Sequence, residues 1–196
     1  KELGFLGGMA VPAVIRYGYG FVQGADAAAA EMGVTANINY AYGNQFYGDA
    51  DITAAMDTWY GNGTEVVFAC GGGIFTSAAE AAVKVGGKVI GVDTDQAANI
   101  DGAYGNGEKI TVTSAMKGLY PTTYDTLSAV ILDGKWSDYA GKIATLGLVS
   151  GDDTEANYVQ LPMESTQWAD GFSQDDYKAL VKDMAAGTIK VSNDIS

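Results

Sequence analysis

Four groups of residues have types and spacings that can do chemistry. The first is Asp93-Thr94-Asp95-Gln96. A carboxylate only accepts hydrogen bonds, and its two oxygens match the paired donors of vicinal hydroxyls such as a ribose presents. The same residues also cap loops and helix starts, so spacing leaves both uses open. The second group is Gly71-Gly72-Gly73. A dinucleotide site needs G-x-G-x-x-G leading into a helix, with an acidic residue about 20 positions later. CGGGIFTSAA lacks the third glycine of that spacing, although Asp93 lies at a suitable remove. The third is Lys117, three residues after Ser114. This S-x-x-K stands without the companion motifs of the penicillin-recognising enzymes. Its lysine can bond ligand oxygens, pair with an Asp, or simply face solvent. The fourth is Tyr42, Phe46 and Tyr47 in one polar loop. Such aromatics either stack a planar ring or pin the loop to the core.

Elements must hold these groups in place, and their pattern is legible. Val66–Gln96 contains an apolar run, three glycines, an alanine-rich helical stretch, Gly86-Gly87 and a second apolar run, Lys88–Val92. That is a βαβ unit with buried parallel strands. Asp93 and Asp95 then lie beyond a strand's carboxyl end, where open parallel sheets bind ligands. Upstream, Leu3–Met9 reads as a strand and Pro12 suits a helix start. Val14, Tyr17, Phe21, Ala25, Ala28 and Met32 make that helix's apolar face. Gly18, Gly20 and Gly24 suit a helix lying close on the sheet, and Gly33 ends it. Ala36–Ala41 is a second strand, followed by a helix carrying Ile52, Met56 and Trp59. Downstream, Ala98–Glu108 reads as a polar loop and Lys109–Thr113 as a strand, with Ser114 and Lys117 just beyond it. A helix runs from Tyr120 to Asp133-Gly134. Ile143–Ser150 is strand-like, and Gly151–Gly171 is irregular. Ser173 with Asp176 marks a capped helix start. The expectation is α/β: an open, doubly wound parallel sheet covered by helices on both faces.

Composition narrows the function. The 196 residues are 47% hydrophobic and carry a net charge of −13, with Arg16 as the single arginine. Nucleic acid needs a basic surface to neutralise phosphates, so it is not an expected partner. A neutral or cationic ligand suits this charge better than a phosphorylated one. With no histidine and one cysteine, Cys70, the chain has no Ser-His or Cys-His dyad, no His-containing metal site and no internal disulfide. Cys70 falls late in a strand, where a small hydrophobe belongs. No apolar run reaches the roughly 20 residues needed to span a bilayer. The chain opens inside a strand without an initiator Met, which reads as a processed or truncated start.

KELGFLGGM, GYGFVQGA, QFYGDAD, ACGGG, GVDTDQ and SAMK occur in that order. Together they resemble the basic membrane protein (Bmp) family of bacterial lipoproteins, the purine-nucleoside-binding components of ABC transporters. The resemblance covers residues 1 to about 135 and is most specific at GVDTDQ followed by S-x-x-K. The glycine turn departs from the family pattern, which places a further glycine near Ile74. The resemblance implies a type I periplasmic-binding-protein fold, with residues 1–135 as the second lobe. Residues 136–196 would be a return segment that packs on a first lobe, absent here together with its N-terminal lipid anchor. By the same resemblance Phe46 stacks on the purine, Asp93 accepts the ribose hydroxyls, and Lys117 bonds ligand or Asp oxygens. Asp95 is the second choice for the carboxylate, and Gly72 lines the site. The implied ligand is guanosine, inosine or adenosine, and the implied partners are ABC permease subunits. The implied location is the extracytoplasmic face of the cell membrane. No catalysis, cofactor or metal is expected. Two rivals use the same residues: a nicotinamide-dependent oxidoreductase, and a ligand-sensing regulator of the same fold.

Overall fold

The computed structural model describes residues 1–195. It divides into two units. The first holds residues 1–115, 162–167 and 191–195; the second holds 116–161 and 168–190.

In the first unit strands and helices alternate: β1 (Glu2–Gly7), α1 (Pro12–Met32), β2 (Asn37–Tyr42), α2 (Ala50–Gly61), β3 (Val66–Cys70), α3 (Phe75–Val85), β4 (Lys88–Asp93), α4 (Ala97–Tyr104) and β5 (Thr111–Lys117). The strand order is β2-β1-β3-β4-β5. β1 runs parallel to β2 and β3, and β3 runs parallel to β4. The chain steps outward from β1 to β2 and then crosses back to β3. The winding therefore reverses between β1 and β3, which opens a crevice at their carboxyl ends.

Period-two alternation sends successive strand side chains to opposite faces. Leu6, Val67 and Ala69 join Ile52, Met56, Ala78 and Ala82 in one core, under α2 and α3. Phe5, Phe68, Cys70 and Val92 join Val14, Tyr17 and Phe21 in the other, under α1. This is the doubly wound α/β architecture expected from the sequence.

α1 starts at Pro12, whose missing N–H costs nothing in the first turn. It ends at Gly33, left-handed at φ 66°, whose N–H bonds the Ala29 and Ala30 carbonyls. Of the three helix glycines, only Gly18 lies close on the sheet. A Cβ there would stand 2.8 Å from the Phe5 ring, whereas Gly20 and Gly24 face open space.

Three segments differ from their sequence reading. Residues 97–104 form α4 rather than a loop, because Asp95 caps the helix and Ile100 buries against the core. β5 runs to Lys117, so Ser114 and Lys117 lie within the strand. Ile143–Ser150 forms no strand. Its backbone is tied by a side chain instead: the buried Asn157 Oδ1 accepts from Val149 N (2.7 Å) and Ser150 N (2.8 Å), and Nδ2 donates to Ser150 O (3.0 Å).

The second unit contains α5 (Leu119–Leu127), a π turn (Ser128–Leu132), α6 (Trp136–Tyr139), a 3-10 turn (Thr154–Ala156), β6 (Val159–Gln160) and α7 (Gln174–Ala185). β6 pairs antiparallel with the last residues of β5, Met116 and Lys117. α7 opens with the expected capping box. Ser173 Oγ accepts from Asp176 N, and the Asp176 carboxylate accepts from Ser173 N. The Ser173 hydroxyl also donates to the Asp176 carboxylate at 2.6 Å, and that bond first, then the one from Ser173 N, holds the Asp176 pKa below the usual carboxylate value.

Candidate functional site

The site is built where β1, β3 and β4 end. Gly8 follows β1 and donates to Cys70 O on β3 at 2.9 Å. Gly71 follows β3. The two backbones nearly touch: a Cβ on Gly71 would lie 2.8 Å from Gly8 Cα. The Phe46 ring covers this pair, since a Cβ on Gly8 would fall 2.5 Å from Phe46 Cδ1 and one on Gly71 3.2 Å from it. Glycine is needed at both positions because any side chain would displace the ring or the facing strand end. Phe46 is 42% exposed, so it also presents a face to solvent. Its carbonyl accepts from Gly73 N at 2.8 Å, which ties the aromatic loop to the glycine turn. Gln45 and Asp49 brace the far side of the loop, with Gln45 Nε2 donating to Asp49 at 2.6 Å and Asp49 capping α2 through Ile52 N. The other two aromatics of that sequence group do different work, and Tyr42 ends β2 rather than lying in the loop. Tyr42 packs edge-on to Phe5 and hydrogen-bonds Tyr40, and Tyr47 is exposed. Gly72 is exposed and left-handed at φ 52°, between Gly71 and the residue bonded to Phe46.

Asp93 ends β4 in an unusual backbone state. Its φ is 71°, in the left-handed region, and Thr94 N donates across it to Val92 O at 2.9 Å. This is a three-residue γ-turn of the rare, strained kind, costing of order 1–3 kcal/mol for a non-glycine residue. The structure holds the turn through Gln96, whose side chain is 8% exposed. Gln96 Oε1 accepts from Val92 N (2.9 Å), Nε2 donates to Gly72 O (3.2 Å), and its own N donates to Ser114 Oγ (3.1 Å). One residue therefore joins the glycine turn and the end of β4 through its side chain and, through its backbone N and buried Ser114, β5. Gly91 makes room for it, since a Cβ there would meet Ser114 Oγ at 2.7 Å and Gln96 Oε1 at 2.9 Å.

Phe46, Gly72 and Asp93 are thus tied into one framework at the strand ends. Asp95 is used locally: its Oδ1 accepts from Ala97 N at 3.1 Å and caps α4. Lys117 is exposed and belongs to the second unit, where its backbone pairs with Val159. Gln96 and Ser114 stand in the sequence motifs, but their bracing role shows only in the fold, and Tyr17 carries no site signal in the sequence. Tyr17 belongs to the apolar face of α1, and its hydroxyl is buried. Among the described residues no group of carboxylates and Cys70 is arranged to hold a metal ion, and no helix is long and apolar enough to cross a membrane.

Comparisons with known proteins bear on the fold and the family. In solved structures, the chain is similar to an ABC transporter solute-binding protein from Conexibacter woesei DSM 14684, with TM-score 0.65 and 23% identity over 98% of this chain and 57% of that one. It is also similar to an ABC transporter solute-binding protein from Aeropyrum pernix K1, with TM-score 0.68 and 18% identity over 100% of this chain and 58% of that one. A third likeness is to a transcriptional activator of the comK gene from Bacillus halodurans, with TM-score 0.52 and 18% identity over 97% of this chain and 56% of that one. The chain therefore spans just over half the length of these structures. At such identities the likeness shows the fold, that of the periplasmic-binding proteins. None of the curated proteins compared with the chain matches it. A family model does: Bmp, described as ABC transporter substrate-binding protein PnrA-like, matches residues 1–160. With 160 of its 196 residues matched and the site at the strand ends, the chain belongs to the Bmp family of PnrA-like ABC transporter substrate-binding proteins.

Proposed function

We propose that the protein is the solute-binding component of an ABC importer and that its ligand is a purine nucleoside: guanosine, inosine or adenosine. The observation that carries this reading is the strained turn at Asp93, braced by Gln96 at the strand ends where Phe46 offers an aromatic face. Strain of this kind persists where the surroundings over-determine it, and it clusters at ligand clamps. A carboxylate accepts the paired ribose hydroxyls, and an aromatic ring covers the base. Asp93 takes the first role, because Asp95 is engaged as a helix cap. Phe46 takes the second. Gly72 lets the ligand approach the backbone, and Lys117 supplies a donor for ligand or carboxylate oxygens. On this reading the protein performs no chemistry and uses no cofactor.

Residues 1–135 are then one lobe of a two-lobed binding protein, and residues 136–196 return toward the other. The lobes close on the ligand by hinge bending, and the closed form docks on the permease. Such a protein works outside the cytoplasmic membrane, tethered through an N-terminal lipid.

The test is a calorimetric titration of the full-length protein with guanosine, inosine, adenosine, ribose and NADH. Nucleoside binding at micromolar level or tighter, with ribose and NADH silent, is the expected result. Binding of NADH alone would replace this reading with the oxidoreductase one. The likeness to a transcriptional activator supports a sensor as the second reading. A sensor would bind the ligand without engaging a permease, which reconstitution with permease subunits distinguishes.

A further inference from the structure

Amide groups can bond head to tail, each donating at one end and accepting at the other, and each bond then polarises the next. Such a row runs through the candidate site. Val92 N donates to Gln96 Oε1 at 2.9 Å. The same side-chain amide donates from Nε2 to Gly72 O at 3.2 Å. That carbonyl belongs to the Gly72–Gly73 peptide, whose N–H donates to Phe46 O at 2.8 Å. The C=O and N–H of a planar trans peptide point in opposite directions. Gln96 and the Phe46 carbonyl therefore hold this peptide from its two sides. The row begins at the residue before Asp93 and ends at the residue whose ring covers Gly8 and Gly71. Val92 is held at both backbone groups, since its carbonyl accepts from Thr94 N across Asp93 at 2.9 Å.

We propose that Gln96 is a positioning and specificity-determining residue: its amide links the Asp93 turn to the Phe46 loop and sets the spacing at which carboxylate and aromatic ring meet one ligand. The residue type carries the argument. Methionine would fill the space beside Gly91 with a similar volume, but it offers neither bond. A glutamate carboxylate accepts without donating, and a lysine donates without accepting. Only a side-chain amide of this length joins a backbone donor on one side to a backbone acceptor on the other. A nucleoside holds its base and ribose at a separation set by one bond. A site that reads both must hold its two contacts at the matching separation before the ligand arrives, because preorganisation removes the cost of ordering them on binding. Gln96 does this without touching the ligand, through the backbone on either side.

The ligand part of this inference rests on the proposed function; the amide row does not. The experiment on the full-length protein is therefore read with and without ligand. In the ligand-free wild type the Gln96 side-chain amide protons should exchange slowly with solvent by NMR. Free exchange there overturns the proposal, and this reading needs no variant. Amide protection is then compared in Gln96→Glu and Gln96→Met at about pH 8, well above the ordinary glutamate pKa. Glutamate keeps an acceptor for Val92 N and loses the donor to Gly72 O. In Gln96→Glu, Gly73 should lose roughly tenfold or more of its protection while Val92 keeps its own, although the Phe46 carbonyl that Gly73 bonds is untouched. In Gln96→Met both should lose protection. Equal losses at Val92 and Gly73 in Gln96→Glu, or no loss at Gly73 in either variant, overturn the link.

With ligand, Gln96→Glu should weaken guanosine about tenfold, the worth of one hydrogen bond to a buried carbonyl. Its preference for guanosine over 2′-deoxyguanosine should fall at least roughly threefold, because the carboxylate no longer stands at the separation the nucleoside requires. Gln96→Met should reproduce that fall without adding a charge. A merely structural role would weaken both nucleosides by one factor, as partial unfolding does, and leave the preference unchanged; that result overturns the specificity role. If the wild type binds no nucleoside, the proposed function fails, and the exchange measurements still decide the link.

Discussion

Gly8 and Gly71 carry the tightest steric demands in the site, and they make different predictions. Gly8→Ala meets chiefly the half-exposed Phe46 ring, which can swing away, and at 3.1 Å the Gln45 carbonyl, which must give by a few tenths of an ångström. Its stability cost should be small and its effect should fall on nucleoside affinity. Gly71→Ala meets Gly8 Cα at 2.8 Å and Gly8 N at 2.9 Å, and backbone cannot swing. It should destabilise by about 1–3 kcal/mol, the usual cost of overpacking, as urea unfolding will measure. Asp93 separates stability from binding more cleanly. Asp93→Gly accepts φ 71° without strain, and that relief offsets lost side-chain contacts. Stability should stay within roughly 1 kcal/mol of wild type. Affinity for guanosine should nevertheless drop at least tenfold, since charge-assisted bonds are worth about 1.5–3 kcal/mol each. The preference for guanosine over 2′-deoxyguanosine should collapse with it. Phe46→Ala should weaken both nucleosides alike, because stacking does not sense the sugar. An unchanged preference in Asp93→Gly would remove Asp93 from the ribose contact.

Elements show where local rules and packing diverge. α1 carries three glycines inside one helix, and only Gly18 touches the sheet. Gly20→Ala and Gly24→Ala add no clash and remove backbone freedom from the unfolded chain. Each should stabilise by about 0.5–1 kcal/mol. Gly18→Ala presses on buried Phe5 and the Tyr40 hydroxyl and should destabilise. Thermal melts of the three variants check this ordering. α7 gives a pH prediction. Asp176 has a folded-state pKa below its unfolded value because Ser173 donates to it. Its stabilising contribution is therefore present above the unfolded pKa and is lost as pH falls through the folded one. Protection factors in the first turn of α7, taken against the intrinsic exchange rate at each pH, should fall in that acid window. Asp176→Asn should remove most of the pH dependence. Ser173→Ala should weaken the helix start at neutral pH by about 0.5–2 kcal/mol.

At the scale of the whole molecule, charge and exposed apolar surface set behaviour. The charge of −13 favours repulsion between copies. Tyr120, Ile131, Leu132, Trp136, Ile143 and Val149 nevertheless stand exposed in the second unit, and apolar surface of this kind finds partners. Residues 1–196 expressed alone should bind a hydrophobic dye and elute above monomer mass at high concentration. On the two-lobed reading proposed above, a protein carrying both lobes should do so much less. The same comparison bears on ligand. One set of acceptors and one aromatic face leave much of a nucleoside wet, and pockets bind by burying most of their ligand. On that two-lobed reading, the 196-residue chain should bind guanosine roughly a hundredfold more weakly than a protein carrying both lobes. Micromolar binding by the short chain would count against a two-lobed site.

The sequence by itself determined the alternating strands and helices, the two-faced burial of the sheet and the placement of Asp93 at a strand end. Those follow from period-two and helical repeats, which are local. Capping was equally legible at Ser173 and Gly33, because the partners lie within a turn. Tertiary structure decided the rest. Only the sheet order revealed that Phe46 covers Gly8 and Gly71, residues that meet because the winding reverses between β1 and β3. Only packing distinguished Gly18 from Gly20 and Gly24, and only the fold used Asp95 as a cap while leaving Asp93 in a strained turn. Ile143–Ser150 shows the limit most directly. Its apolar pattern suits a strand, but the donors at its end are met by Asn157 rather than by a neighbouring strand. A strand needs a ladder partner, and no local pattern of residues specifies which one the chain will bring.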